Sequence, residues 1–298
     1  MSLAVIESRS FPRYQAVSEL KMSAFKYNFA VVSRIPDSFT TRCKGENLDL
    51  TEARKKHYDL VETLRNMQLD VLELPPDERH PEGVFVEDIA VVINGTALIC
   101  NPADSTRQGE VDTVRQVLRK ELKLKIVEIE DQKAYVEGGD VLFTGKEIFV
   151  GISKFTNAGG AQAVARAFPE YSTCAIKVFG PNHLKDYMSM AGPDIIAISN
   201  SDDAQKTFKD MQLQSSFGYD LIHLEEDKAA NVVFANGHMV HLPTEEIPKS
   251  IGVYENKINY DRKVVAFKEM LKATNRLSSS VLLVSKIRHP KKITSTLQ

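Results

Sequence analysis

Two near-copies of one pattern, about fifty residues apart, constrain this fold more than any other feature. The first runs Val84-Phe85-Val86-Glu87-Asp88-Ile89-Ala90-Val91-Val92, then Asn94-Gly95, then Thr96-Ala97-Leu98-Ile99. The second runs Tyr135-Val136-Glu137-Gly138-Gly139-Asp140-Val141-Leu142-Phe143, then Thr144-Gly145, then Ile148-Phe149-Val150. Each reads as an acid-bearing strand, a tight turn and a second strand, since Asn-Gly between apolar runs is a strong hairpin signal. A third copy spans Asn231-Val232-Val233-Phe234, Asn236-Gly237 and His238-Met239-Val240-His241. Repetition implies a modular fold. Acids at the mouth of an apolar strand are costly to bury and so mark a candidate site.

The modules continue between the hairpins. Helical spacing predicts helices over 48–67, 110–122, 158–168, 202–214 and 259–273, with His57, Leu60, Val61, Leu64 and Met67 sharing one face of the first. Further strands are expected at 29–32, 69–74, 125–127, 172–178, 195–198 and 281–284, and 36–47 reads as a polar loop. The rhythm of helix, strand and strand pair recurs about five times, which fits α/β modules repeated around an axis. Acids on strand ends would then converge on a central channel. An open α/β sheet fits less well, because the Asn-Gly hairpins imply antiparallel pairs throughout. Residues 1–26 read as a loosely packed N-terminal extension, 27–287 as a single domain and 288–298 as a basic polar tail.

Composition narrows the function. A formal charge of −2 over 298 residues gives no basic footprint for nucleic acid. The 43% hydrophobic content suits a sizeable core, but no apolar run approaches the ~20 residues of a membrane span. The first residues lack a signal-peptide apolar region. Cys43, Cys100 and Cys174 have neither disulfide-framework nor metal-ligand spacing, which suggests a reduced cytoplasmic protein. His238 and His241 lie close together, and two ligands do not make a zinc site.

Four places could carry chemistry: Glu87-Asp88, Glu137-Gly138-Gly139-Asp140, His183, and Ser278-Ser279-Ser280. Each has a bland alternative. The acid pair could be a solvated strand edge. Glu-Gly-Gly-Asp could be a bulge or turn. His183 could be structural, and three serines commonly form a polar turn. From the residues alone a polar site follows, and no reaction does.

The ordered stretches FVEDIAVV, TALICNPADSTRQGE, EGGDVLFTGKEIFVGISKFTN, NHLKDYMSMAGPDIIAIS and LSSSVLLVSK strongly resemble the dimethylarginine dimethylaminohydrolase family of the guanidino-modifying (pentein) superfamily. The resemblance spans about Phe29 to Lys286. It implies a five-bladed α/β propeller with pseudo-fivefold repeats around a central active-site channel, and a hydrolase splitting an amidine C–N bond without metal or organic cofactor. In that reaction a cysteine thiolate attacks the guanidinium carbon, an amine leaves, and water releases a urea. The resemblance assigns Glu87 and Asp88 to gripping the guanidinium, which carboxylates do through charge-assisted hydrogen bonds. It assigns His183 as general acid and base, Glu137 as the acid that orients it, Arg107 to the amino-acid end of the substrate, and Glu82 to the substrate's vicinity.

Two departures stand against the family pattern. Ser279 occupies the nucleophilic cysteine's position. A thiol with a pKa near ~8.5 is partly thiolate at neutral pH, whereas a serine hydroxyl has no comparable anionic population. The chain as written is therefore expected to be inactive or severely slowed, the serine being either introduced or native. Phe155 replaces an arginine that holds the substrate α-carboxylate, and the 36–44 loop, a lid in relatives, is shorter. Both suggest a substrate altered at its amino-acid end. The expected partner is a small guanidino or ureido compound bound by a monomer or homodimer. Alternatives are an amidinotransferase or deiminase on the same fold, and a non-catalytic relative that binds a guanidino ligand or a protein.

Overall fold

The computed structural model describes residues 22–42 and 47–286. Among them, fifteen strands form five three-stranded sheets, all built by one rule. Two strands pair antiparallel, and a crossover returns the chain parallel to the second of them.

In the first module β1 (Phe29–Ser33) lies parallel to β2 (Asp70–Leu74), with α1 (Leu50–Asn66) between them in sequence. The second joins β3 (Ala90–Ile93) and β4 (Thr96–Ile99), then α2 (Val111–Gln116), then β5 (Lys125–Val127). The third joins β6 (Val141–Phe143), β7 (Glu147–Ile152), α3 (Ala158–Ala167) and β8 (Ser172–Lys177). One helical turn, α4 (Leu184–Tyr187), leads into the fourth: β9 (Met188–Gly192), β10 (Ile195–Ser199), α5 (Asp202–Gln214) and β11 (Asp220–Leu224). The fifth has β12 (Val233–Ala235), β13 (His238–His241), α6 (Ile251–Lys257) and β14 (Arg262–Val264). The last strand, β15 (Leu282–Val284), pairs antiparallel with β1 and completes the first module.

Local chemistry sets these elements. Asn94 and Gly95 (φ 47° and 73°), and Asn236 and Gly237 (φ 53° and 83°), both take the left-handed backbone a two-residue hairpin turn requires. Asp49 caps α1 by accepting from the Glu52 N–H. Ala53, His57, Leu60, Val61 and Leu64 form its buried face, as their spacing predicts. The first strand of every hairpin, β3, β6, β9, β12 and β15, lines one axial cavity of about 140 Å³, closed in part by Phe25 and Tyr27. The central channel expected of five repeated modules is therefore present.

Several expectations change. No helix covers 259–273; the crossover helix is α6, and Arg262–Val264 is a strand parallel to β13. The apolar residues that suggested the helix are buried without regular periodicity, Val265, Phe267 and Met270 among them. The helix at 110–122 is α2 followed by a π turn over Val117–Glu121. Strands β9 and β11 were not anticipated. Glu87 and Asp88 do not lie on a strand but in a 3-10 turn, Val86–Ile89, just before β3. Of the expected extension, 22–26 are described, and Phe25 packs edge-on against Phe234 in the core. Residues 1–21, 287–298, and Cys43 and Lys44 of the expected lid lie outside the described residues.

Candidate active site

A single helical turn precedes the first strand of each hairpin: Val86–Ile89, Gly138–Asp140, α4, Asp227–Ala230 and Ser278–Ser280. All four sequence-level candidates sit on or beside these turns. The pseudo-fivefold repeat therefore brings together residues nearly two hundred positions apart.

Cross-module hydrogen bonds tie the turns together. Lys185 Nζ donates to Glu87 Oε1 at 2.9 Å, and Ser278 Oγ donates to Glu87 Oε2 at 2.9 Å. Asn231 Nδ2 donates to Ser278 Oγ and to the Lys185 carbonyl, both at 3.0 Å. The Gly139 N–H donates to Asp88 Oδ1 at 3.1 Å, and the Leu184 N–H to Asp140 Oδ1 at 2.8 Å. Glu87, Gly138, Lys185 and Ser278 face the axial cavity. Asp88, Glu137, His183, Asp186 and Arg276 line a second, polar cavity of about 450 Å³, walled also by Glu82, Arg107 and Phe155. The tied turns form the partition between the two.

His183 lies in the wall of the polar cavity. Its Nε2 lies 2.7 Å from Glu137 Oε2, and Nδ1 lies 3.6 Å from Asp186 Oδ2. Asp186 also accepts from the His183 backbone N–H at 2.9 Å, fixing the residue at the head of α4. Burial and the Arg276 charge both oppose protonation of the ring, but Asp88, Asp186 and Glu137 outweigh them and raise its pKa to about 9. The imidazole is thus charged at neutral pH.

The carboxylates are buried too. Glu87 is 7% exposed and Asp88 1%, so the solvated-edge alternative is wrong. Burial alone would raise the Asp88 carboxyl, yet Arg276, His183 and Arg107 hold it far below the usual range. Arg107 Nη1 reaches Asp88 Oδ2 at 2.9 Å, and Nη2 reaches Glu110 Oε2 at 2.9 Å. Burial pushes the Glu110 carboxyl up to about 7 against the pull of Arg107. Glu82 pairs with Arg42 at the rim. Asp88, Glu137 and His183 have ligating atoms within 4.8 Å of one another, but paired arginines and a charged imidazole make a poor cation site.

Phe155 does not extend toward a distant carboxylate. Its ring lies flat on His183, centroids 3.8 Å apart and planes within 4°, with Lys154 Nζ over its far face at 4.6 Å. Ser278, Ser279 and Ser280 are all buried, in a turn as expected but not a solvated one. The Ser279 hydroxyl donates to the Arg276 carbonyl at 2.7 Å; the serine reaching the acids is Ser278. Ser279 is not among the walls of the His183 cavity. Cys100 is buried and free, and Cys174 is half-buried.

Arg276, Lys185, Asp186 and Asn231 escaped the sequence reading as site residues. The signal that could have found Arg276 is electrostatic: buried Glu87, Asp88 and Glu137 need cations, and Arg276 adjoins the serine turn.

A family model for eukaryotic N,N-dimethylarginine dimethylhydrolase matches residues 30–257. Human DDAH2 is 36% identical over 275 residues, covering 87% of this chain and 95% of that protein. The N(G),N(G)-dimethylarginine dimethylaminohydrolase of Pseudomonas aeruginosa is 26% identical over 217 residues, covering 70% of this chain and 82% of that protein. A solved structure of the Pseudomonas aeruginosa enzyme, a cysteine-to-serine mutant complexed with citrulline, aligns with a TM-score of 0.75 at 21% identity, covering 87% of this chain and all (100%) of that one. The N-terminal domain of the cyanobacterial arginine dihydrolase ArgZ, also a cysteine-to-serine mutant, aligns with a TM-score of 0.70 at 16% identity, covering 86% and 98%. These two likenesses establish the five-bladed pentein propeller. With the family match over most of its length, the chain belongs to the dimethylarginine dimethylaminohydrolase family.

Proposed function

We propose that this chain carries the metal-free amidine C–N hydrolase site of its family, directed at a guanidino or ureido compound, with turnover blocked or severely slowed at Ser279. The observation that carries this reading is the buried His183–Glu137 pair, 2.7 Å apart beside Asp88. A charged imidazole held by a carboxylate can protonate a leaving amine and, once neutral, activate water. With a thiol at position 279, the thiolate would attack the planar carbon, His183 would hand its proton to the departing amine, and water would displace the sulfur to give a urea from a guanidino compound or a carbamate from a ureido one. Glu137, Glu87 and Asp88 would keep their family roles of orienting His183 and gripping the planar head. Arg107 and Glu82 would flank the ligand. No step needs a cofactor.

Phe155 alters the far end of the pocket. Its ring is committed to His183, so it offers no partner to an α-carboxylate. We assign the site a ligand that lacks an α-carboxylate or carries an apolar group there.

A non-catalytic, ligand-binding relative is the second reading. It is favoured by the Ser279 hydroxyl, which is buried and bonded to a carbonyl. The test is release of amine and ureido product from a panel of guanidino and ureido compounds, by the chain and by Ser279→Cys in parallel. Turnover confined to the cysteine form supports the hydrolase reading. Unreacted ligand bound to both forms, with no turnover, supports the second.

A further inference from the structure

Arg276 lies just before the fifth turn and is 3% exposed. Its guanidinium is held by three carboxylates. Nη1 lies 2.8 Å from Glu87 Oε2, Nη2 lies 3.1 Å from both oxygens of Asp88, and Nε lies 3.4 Å from Asp186 Oδ2. A planar guanidinium matched to carboxylates in this way is the arrangement a guanidino ligand would itself receive. The backbone makes room for it: a Cβ on Gly139 would stand 2.3 Å from Arg276 Nη1.

Glu87 is already engaged by Arg276 and Lys185, Asp88 by Arg276 and Arg107, Glu137 by Arg107 and His183, and Asp186 by Arg276 and His183. A further cation brought to these carboxylates would have to displace a resident one. An uncharged planar head displaces none of them. Without Arg276, Glu87, Asp88 and Asp186 would lose a shared cation around a space shaped for a guanidinium.

We propose that Arg276 is a specificity-determining residue: a resident guanidinium that occupies Glu87 and Asp88, excludes cationic guanidino ligands, and leaves the site to compounds with an uncharged ureido head. This rests on the reading of Glu87 and Asp88 as the ligand-gripping pair.

The experiment is calorimetric titration of the full chain and of Arg276→Ala with guanidinium ion, dimethylarginine and citrulline, with melting curves in millimolar guanidinium. Dimethylarginine and guanidinium are expected to bind Arg276→Ala at least about tenfold more tightly than the chain, the scale on which a buried charge partner matters. Guanidinium is expected to raise the melting temperature of Arg276→Ala and not that of the chain. Binding of dimethylarginine to the unaltered chain as tightly as to Arg276→Ala overturns the proposal. If Arg276→Ala does not fold alone, recovery of its fold in guanidinium but not in equal ammonium supports it, and recovery in neither overturns it. Failure of the hydrolase reading looks different: no ureido compound binds or turns over in any form, while the guanidinium response of Arg276→Ala stands.

Discussion

Phe155 stacks flat on His183, covering one face of the charged imidazole in the wall of the polar cavity. On the proposed reading, the stack places a hydrocarbon ring where a ligand's amino-acid end would otherwise approach. Phe155→Arg is expected to tighten citrulline binding by about tenfold or more, the value of a charged hydrogen-bonded partner. Ureido compounds without a carboxylate should gain nothing. Titration calorimetry checks this, and equal citrulline affinity in both proteins would contradict it.

His183 makes stability depend on pH above neutrality. Its pKa is about 9 in the fold and near 6.5 in the unfolded chain. The folded state therefore holds the proton more tightly, so the stabilisation is fully present below about 6.5 and lost as pH rises through about 9. It amounts to on the order of 3 kcal/mol. Urea unfolding from pH 6 to 10 should show this decline, and His183→Gln should remove it.

His57 works with the opposite sign. Burial outweighs the pull of Glu73 and lowers its pKa to about 4. Its neutral form is the one the fold accepts, so its contribution is complete above about 6.5 and falls away toward pH 4, again by on the order of 3 kcal/mol. Its Nε2 is buried without a partner, so His57→Leu removes no hydrogen bond at that atom. Unfolding curves between pH 7 and 4 should be flatter for His57→Leu than for the chain.

Gly138 and Gly139 are required by close approach. A Cβ on Gly138 would fall 1.9 Å from the Glu87 carbonyl oxygen, and one on Gly139 would meet the end of the Arg276 side chain. Backbone yields less readily than a side-chain tip. Gly138→Ala is expected to cost about 3 kcal/mol or more, and Gly139→Ala about 1–2 kcal/mol. Chemical denaturation of the two variants measures the order, and a costlier Gly139→Ala would contradict it.

The repeat was legible because Asn94-Gly95 and Asn236-Gly237 state their turn geometry locally. The amphipathic face of α1 was legible for a similar reason, since its spacing survives burial. The stretch after β13 misled because Val265, Phe267 and Met270 are buried through irregular backbone, where tertiary packing overrides periodicity. At the site, Glu87, Asp88, Glu137 and His183 could be picked out one by one, and the cavity brings three of them together. Arg276 could not, because an isolated arginine carries no local signal of burial. Its role depends on carboxylates nearly two hundred residues away.

The central claim is that position 279 holds the nucleophile's place in an otherwise retained site. The most direct measurement is the intact mass of the chain, Ser279→Cys and Ser278→Cys after incubation with 4-chloro-2-hydroxymethylpyridine, a compound without an α-carboxylate and uncharged in neutral solution. A covalent adduct on Ser279→Cys alone, mapped to residue 279 and lost when Glu137 is changed to Gln, is the expected result. An adduct on Ser278→Cys instead, or none on any form that still binds the compound, would contradict it.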